Sequence, residues 1–134
     1  EGPGFLRAAP GVGDIVPMDV TAAGKIYSVF GHVSDGSEQS TVDREEADRI
    51  QARGYALNRD SWIDGLSVLG VPIWQGRGAG ARDLVAVMAL AAASPRFERL
   101  GEEEVAERLL AAAAQVGMRL SPASFGRRGG RKEQ

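Results

Sequence analysis

The chain has 134 residues, enough for one domain with a single core, and its formal charge of −2 gives no long-range basic field to recruit nucleic acid. With 43% hydrophobic and 25% charged residues it has the composition of a globular protein and not of a disordered one. There is no cysteine, which excludes disulfides, thiol nucleophiles and thiolate metal sites and agrees with a reducing, cytoplasmic setting. No apolar run reaches the roughly 18–20 residues of a membrane-spanning helix. The first residues, Glu1-Gly2-Pro3-Gly4-Phe5, carry no signal-peptide pattern and no initiator Met, so the chain is expected to be a piece of a longer protein.

Residues 1–20 are rich in glycine and proline around Phe5-Leu6-Arg7-Ala8, which reads as a strand or strand end followed by a loop. Thr21 is placed to cap a short helix over Ala22 to Phe30 that ends at Gly31. After a polar loop, Asp43-x-x-Glu46 is a capping-box-like start. Glu45 to Arg53 then reads as a polar helix with Ala47 and Ile50 turned inward and Gly54 at the left-handed C′ position. Tyr55-Ala56-Leu57 reads as a short strand and Asn58-Arg59-Asp60-Ser61 as a turn.

Leu66 to Trp74 has the apolar, β-branched content of a buried strand. The glycine-rich Gly76 to Gly80 makes a hairpin loop, and Leu84 to Ala91 returns as a second strand, although its alanines and Met88 also suit a helix. From Glu102 to Leu120, residues Val105, Leu109, Ala112, Ala113, Val116 and Leu120 form one apolar stripe at helical spacing. Glu102, Glu103 and Glu104 sit at the positive end of that helix dipole. Residues 122–134 read as a disordered basic tail, leaving 1–121 as the domain.

Two motifs invite a nucleotide reading. Gly24-Lys25 fails as a phosphate loop, because the motif needs a glycine where Asp19 stands and a hydroxyl residue where Ile26 stands. Lys25 reads instead as a surface or salt-bridging lysine. Gly76-x-Gly78-x-x-Ala81 after an apolar strand matches the dinucleotide fingerprint in its alanine-ended form, yet no acidic strand end follows where the ribose would need one. A hairpin loop is the plainer reading. His32 has no nucleophile or carboxylate at a diagnostic spacing, and the carboxylates at 43–48 and 102–107 are explained by helix starts, so no catalytic residue, metal site or cofactor is expected. Arg127, Arg128, Arg131 and Lys132 read as a solvated terminus, with an anionic partner as the alternative.

The segment Pro17-Met18-Asp19-Val20-Thr21-Ala22-Ala23-Gly24-Lys25 is followed by Arg53-Gly54-Tyr55, the Gly65-to-Pro72 segment, and a long final helix after a Ser94-Pro95-Arg96-Phe97 turn. In that order and spacing the pieces resemble the effector-binding domain of IclR-family bacterial transcriptional regulators. The resemblance covers roughly residues 1–121. It implies an α/β (α+β), GAF/profilin-like antiparallel sheet with helices on its faces, here lacking its first strands and the N-terminal winged helix-turn-helix that would read DNA. It also implies a non-enzymatic homodimer or tetramer that senses a small molecule, without a membrane.

Carried over by position, the effector pocket has Phe5, Ala8 and Val16 as apolar wall, and Ala22 and Ala23 where helix N-terminal amides meet the ligand. Asn58, Val68, Ala89 and Ala91 complete the lining, with Met88 against the ligand body. Relatives that bind small oxo-acids tend to carry Asp, Cys, Ser and Ser at the last four lining positions, whereas here only Asn58 is polar. The resemblance therefore implies an organic acid with one anionic end and a larger apolar body. Two other readings stay open: a small nucleotide-binding enzyme using the Gly76–Ala81 loop, and a degenerate oligomerisation module without ligand. A strand after the glycine loop favours the first reading over the enzyme; a helix starting near Ala81 favours the enzyme.

Overall fold

A helix starts at Ala22 because Thr21 caps it: the Gly24 N–H donates to its Oγ1 at 3.1 Å, and the Lys25 N–H donates to its carbonyl at 3.0 Å. This helix, α1 (Ala22–Phe30), ends at Gly31, whose N–H bonds the Tyr27 carbonyl. A computed structural model describes residues 20–31, 42–78 and 81–120 of the chain. The extended piece expected at 5–8, the polar loop at 34–40 and the tail from 122 lie outside them.

Helix α2 (Arg44–Arg53) ends on Gly54, which takes the expected left-handed conformation at φ 85°. Its start departs from the capping-box expectation, for Asp43 makes no side-chain cap bond. The Glu46 carboxylate accepts from Lys25 Nζ at 2.7 Å and is thereby committed to joining α2 to α1. Strand β1 (Ala56–Arg59) runs through two residues expected to turn, because Asn58 and Arg59 pair with Val68 and Ser67. The turn begins at Asp60, with φ 59°, and is closed by the Gly65 N–H donating to Asp60 Oδ1 at 2.9 Å.

Strands β2 (Leu66–Gly78) and β3 (Ala81–Ala93) form a long antiparallel hairpin that pairs from Leu66↔Ala93 to Gly78↔Ala81. The glycine-rich segment thus leads into a strand. No helix N-terminus exists at Ala81 to hold a pyrophosphate, which removes the physical basis of the nucleotide reading. The Ser-Pro-Arg-Phe turn is instead a short helix, α3 (Ser94–Leu100). Pro95 sits in its first turn, where it costs no hydrogen bond, and Phe97 is fully buried. Helix α4 (Glu102–Arg119) follows the expected span.

The strand order is β1-β2-β3. Strand alternation divides the sheet's residues between two cores. Leu69, Val71 and Ile73 pack with Phe97, Val105, Leu109 and Ala113 on the α3–α4 face. Ala56, Val68 and Val87 pack with Ala22, Ile26 and Ile50 on the α1–α2 face. The α4 stripe sits slightly rotated from its expected position: Ala112 and Leu120 are exposed, while Ala106 and Gly117 are buried. Gly117 sets that rotation, since a Cβ there would lie 2.3 Å from the Trp74 carbonyl oxygen.

Beyond the end of β1, the edge of β2 has no strand beside it among the described residues. The Asp60 N–H donates to the Leu66 carbonyl, so even-numbered residues of β2 direct their backbone groups to this edge. Pro72 falls in that series, at the place where a missing N–H breaks no ladder bond. The C-terminal turn of α4 covers the edge: Gly117 lies on Trp74, and the Gln75 side chain donates to the Leu120 carbonyl.

Candidate functional site

The sheet register places four of the expected effector residues, Asn58, Val68, Ala89 and Ala91, on one face. Asn58, Val68 and Ala91 are mutual partners across the three strands, and Ala56, Gly70 and Ala89 form the adjacent row. Both rows lie on the α1 face. The N-terminus of α1 rests directly on Gly70, where an added Cβ would come 3.3 Å from Ala22 Cβ and 3.5 Å from its carbonyl carbon. A side chain at 70 would push the helix start off the sheet. Ala22 is buried and Ala23 half-buried, and helix geometry leaves their N–H groups without intrahelical partners.

Ahead of that helix start the sheet surface is small and apolar. Val68 is half-buried, and Ala89 and Ala91 are exposed among the described residues. Asn58 is 2% exposed, and its Oδ1 accepts from the Ser61 N–H at 3.0 Å. Its one polar oxygen therefore closes the β1–β2 turn. Lys25 likewise serves the fold. Buried at 8% exposure, it donates to Glu46 and, at 3.2 Å, to the Leu57 carbonyl. It satisfies the salt-bridging half of its expectation and not the surface half.

Met88 does not belong with these residues. It is the register partner of Val71 and packs into the α4 core, on the opposite face from Val68, Ala89 and Ala91. Val87 occupies the α1 face instead, and its Cγ1 would meet a Cβ at Gly70 at 3.4 Å. The period-two alternation from Ala91 through Ala89 carries the signal that selects Val87 over its neighbour. Farther along, Ile73↔Ala86 is followed by Trp74↔Leu84, so Val85 is an extra residue and Leu84 rejoins the α1 face. The expected wall residues Phe5, Ala8 and Val16 lie outside the described residues.

Chemically, this surface has backbone donors at one end and an apolar floor. Among the described residues no group of three His, Cys, Asp or Glu side chains is arranged to hold a metal. No helix among them is long and apolar enough to cross a membrane. Among the described residues the titrating group with a shifted pKa stands elsewhere: burial, then the hydrogen bond to Glu102, raises the Tyr55 phenol above its ordinary value. That pair ties β1's entry to the start of α4.

Helices on both faces of an antiparallel sheet give this chain a fold similar to that of solved transcriptional regulators and of C-terminal domains of such regulators. No family model matches the sequence, and no curated protein matches it. Among solved structures, the transcriptional regulator YaiJ is similar with a TM-score of 0.69 at 21% identity, over 88% of this chain and 73% of that one. IclR of Thermotoga maritima gives 0.66 at 21% identity, over 90% of this chain and 53% of that one, so this chain spans about half its length. The inducer-binding domain of PobR from Acinetobacter, a double mutant in complex with 3-hydroxybenzoic acid, gives 0.61 at 15% identity, over 84% and 74%.

Proposed function

We propose that this chain is the ligand-sensing domain of an IclR-type transcriptional regulator and that it binds an organic acid with an apolar body. One observation carries the reading: the capped N-terminus of α1 is seated on Gly70 beside a row of small apolar side chains. Such a helix start attracts a carboxylate through its unpaired amides and its dipole. Val68, Val87, Ala89 and Ala91 supply an apolar floor for the rest of the ligand. Phe5, Ala8 and Val16 are proposed as the opposite wall. The aromatic acid bound by the PobR domain makes aromatic acids the first class to test.

In the whole regulator, the ligand acts by preferring one arrangement of a homodimer or tetramer over another. An upstream winged helix-turn-helix then changes its hold on DNA. The shift is limited to the ligand's differential affinity for the two arrangements. The reading is tested by thermal unfolding with a panel of aromatic and aliphatic acids. At a concentration a hundredfold above the dissociation constant, binding stabilises by about 2.7 kcal/mol, which moves the melting temperature by several degrees. Ala89→Trp fills the floor and is expected to abolish the shift. No shift with any acid favours the oligomerisation module without ligand.

A further inference from the structure

We propose that a second small-molecule site, for an aromatic anion, lies at the other end of α1, where Phe30 faces Trp74 and Arg82. A cavity of about 500 Å³ opens there, within the size range of small-ligand sites. It lies against the edge of β2 beyond β1 and draws its walls from α1, α2, both long strands and α4. None of the residues proposed above for the acid at Gly70 lines it.

The walls specify the ligand. Phe30 and Trp74 stand edge to face with ring centroids 5.5 Å apart, and with Pro72 and Leu110 they give an apolar chamber with aromatic surfaces. Arg82 lies over the Trp74 ring, its Cζ 4.0 Å from the centroid, and among the described residues it is the only cationic side chain on the lining. Among the described residues no carboxylate pairs with it. The guanidinium is held in place by the indole and keeps its N–H donors for an anion. Gln51 adds an uncharged polar group at the α2 wall. A flat aromatic body inside, with its anionic group at Arg82, matches these walls in both polarity and charge.

The strand pairing places Arg82 beside Trp74. The extra residue Val85 shifts the β3 alternation, so that Leu84 and Arg82 fall on the α1 face, where the alternation of β2 already places Trp74. Phe30 is the last residue of the helix whose first residues are proposed to hold the acid, so the two sites share one rigid element. Reciprocal coupling between them follows if each ligand prefers the same placement of α1.

The test follows the indole N–H resonance of Trp74 in nitrogen-15-labelled full chain, assigned with Trp62→Phe. Indole-3-acetate is the probe and indole-3-acetamide its neutral counterpart. Expected is a saturable shift of the Trp74 signal with the acid, weakened at least fivefold by Arg82→Gln and by the amide. Ala91→Leu, which obstructs the Gly70 site, leaves this titration unchanged. The proposal is overturned by no shift up to millimolar acid, as when another segment of the chain fills the chamber. It is equally overturned by a shift indifferent to charge, or by one lost in Ala91→Leu, which places the ligand at the first site. Should Arg82→Gln not fold, the acid–amide comparison on the unaltered chain decides alone. The thermal shift lost in Ala89→Trp is independent of Arg82, so failure of either site is read separately.

Discussion

The two faces of the sheet are built from the same three strands, and both bury a core, but they differ around the start of α1. On the α3–α4 face, Leu69, Val71 and Phe97 have no or almost no exposed surface and interlock with Val105, Leu109 and Ala113. On the α1 face the matching positions hold Gly70, Ala89 and Ala91, and two of these three remain exposed among the described residues. One face uses large side chains to exclude water. The other uses small ones to let a helix start come close to the strand and to leave an adjoining surface open. On the proposed reading, stability and recognition fall on opposite sides of one β-layer, because strand alternation lets each residue serve only one of them.

Substitutions that cut into the closed face should cost most. Phe97→Ala removes a wholly buried ring and is expected to destabilise by about 3–5 kcal/mol, measured as a lower urea midpoint at unchanged slope. A value below one kilocalorie per mole would show that α3 does not anchor this core. Next comes the α4 contact at the β2 edge. Gly117→Ala places a methyl group into the Trp74 carbonyl, which is backbone and cannot swing away, and should cost about 1–3 kcal/mol.

Smaller still is the effect of pH on the strut between β1 and α4. The Tyr55 phenol is raised above 10.0 by burial and by its bond to Glu102, so the unfolded chain releases this proton first as pH rises. The contribution is fully present below about pH 10 and is lost as pH climbs from there through the folded value. Urea midpoints collected on either side of pH 10 should fall in the parent and fall less steeply in Tyr55→Phe; identical slopes would remove the argument. The smallest change in stability belongs to the open face. Ala91→Leu alters an exposed position and should stay within about 0.5 kcal/mol of the parent, while eliminating any acid-induced rise in melting temperature. A large loss of stability there would mean that this face is packed after all.

The shared face of four proposed lining residues was legible in the sequence. The family resemblance pointed to Asn58, Val68, Ala89 and Ala91, and the register places these four on one face, against which Ala22 of α1 packs. Met88 falls on the other face because a resemblance by position does not carry the alternation that turns each strand residue to one side or the other. Asn58 reads as surviving pocket polarity, whereas its oxygen closes a turn with Ser61, three residues away. The chamber at Trp74 left no trace in the sequence, since it depends on a bulge at Val85 and on residues from five separate elements.

By itself the sequence determined the local features. The threonine cap and the glycine end of α1, the left-handed Gly54 and the extent of α4 all follow from interactions between residues a few positions apart. Such interactions are encoded where they act. Only the tertiary structure decided that Lys25 is buried against Glu46, that Pro95 and Phe97 belong to a helix, and that Gly117 is the contact allowing α4 to cover the β2 edge. Each of those depends on a partner distant along the chain. Burial, charge pairing and close backbone approach acquire their energies only once the fold has brought the two sides together.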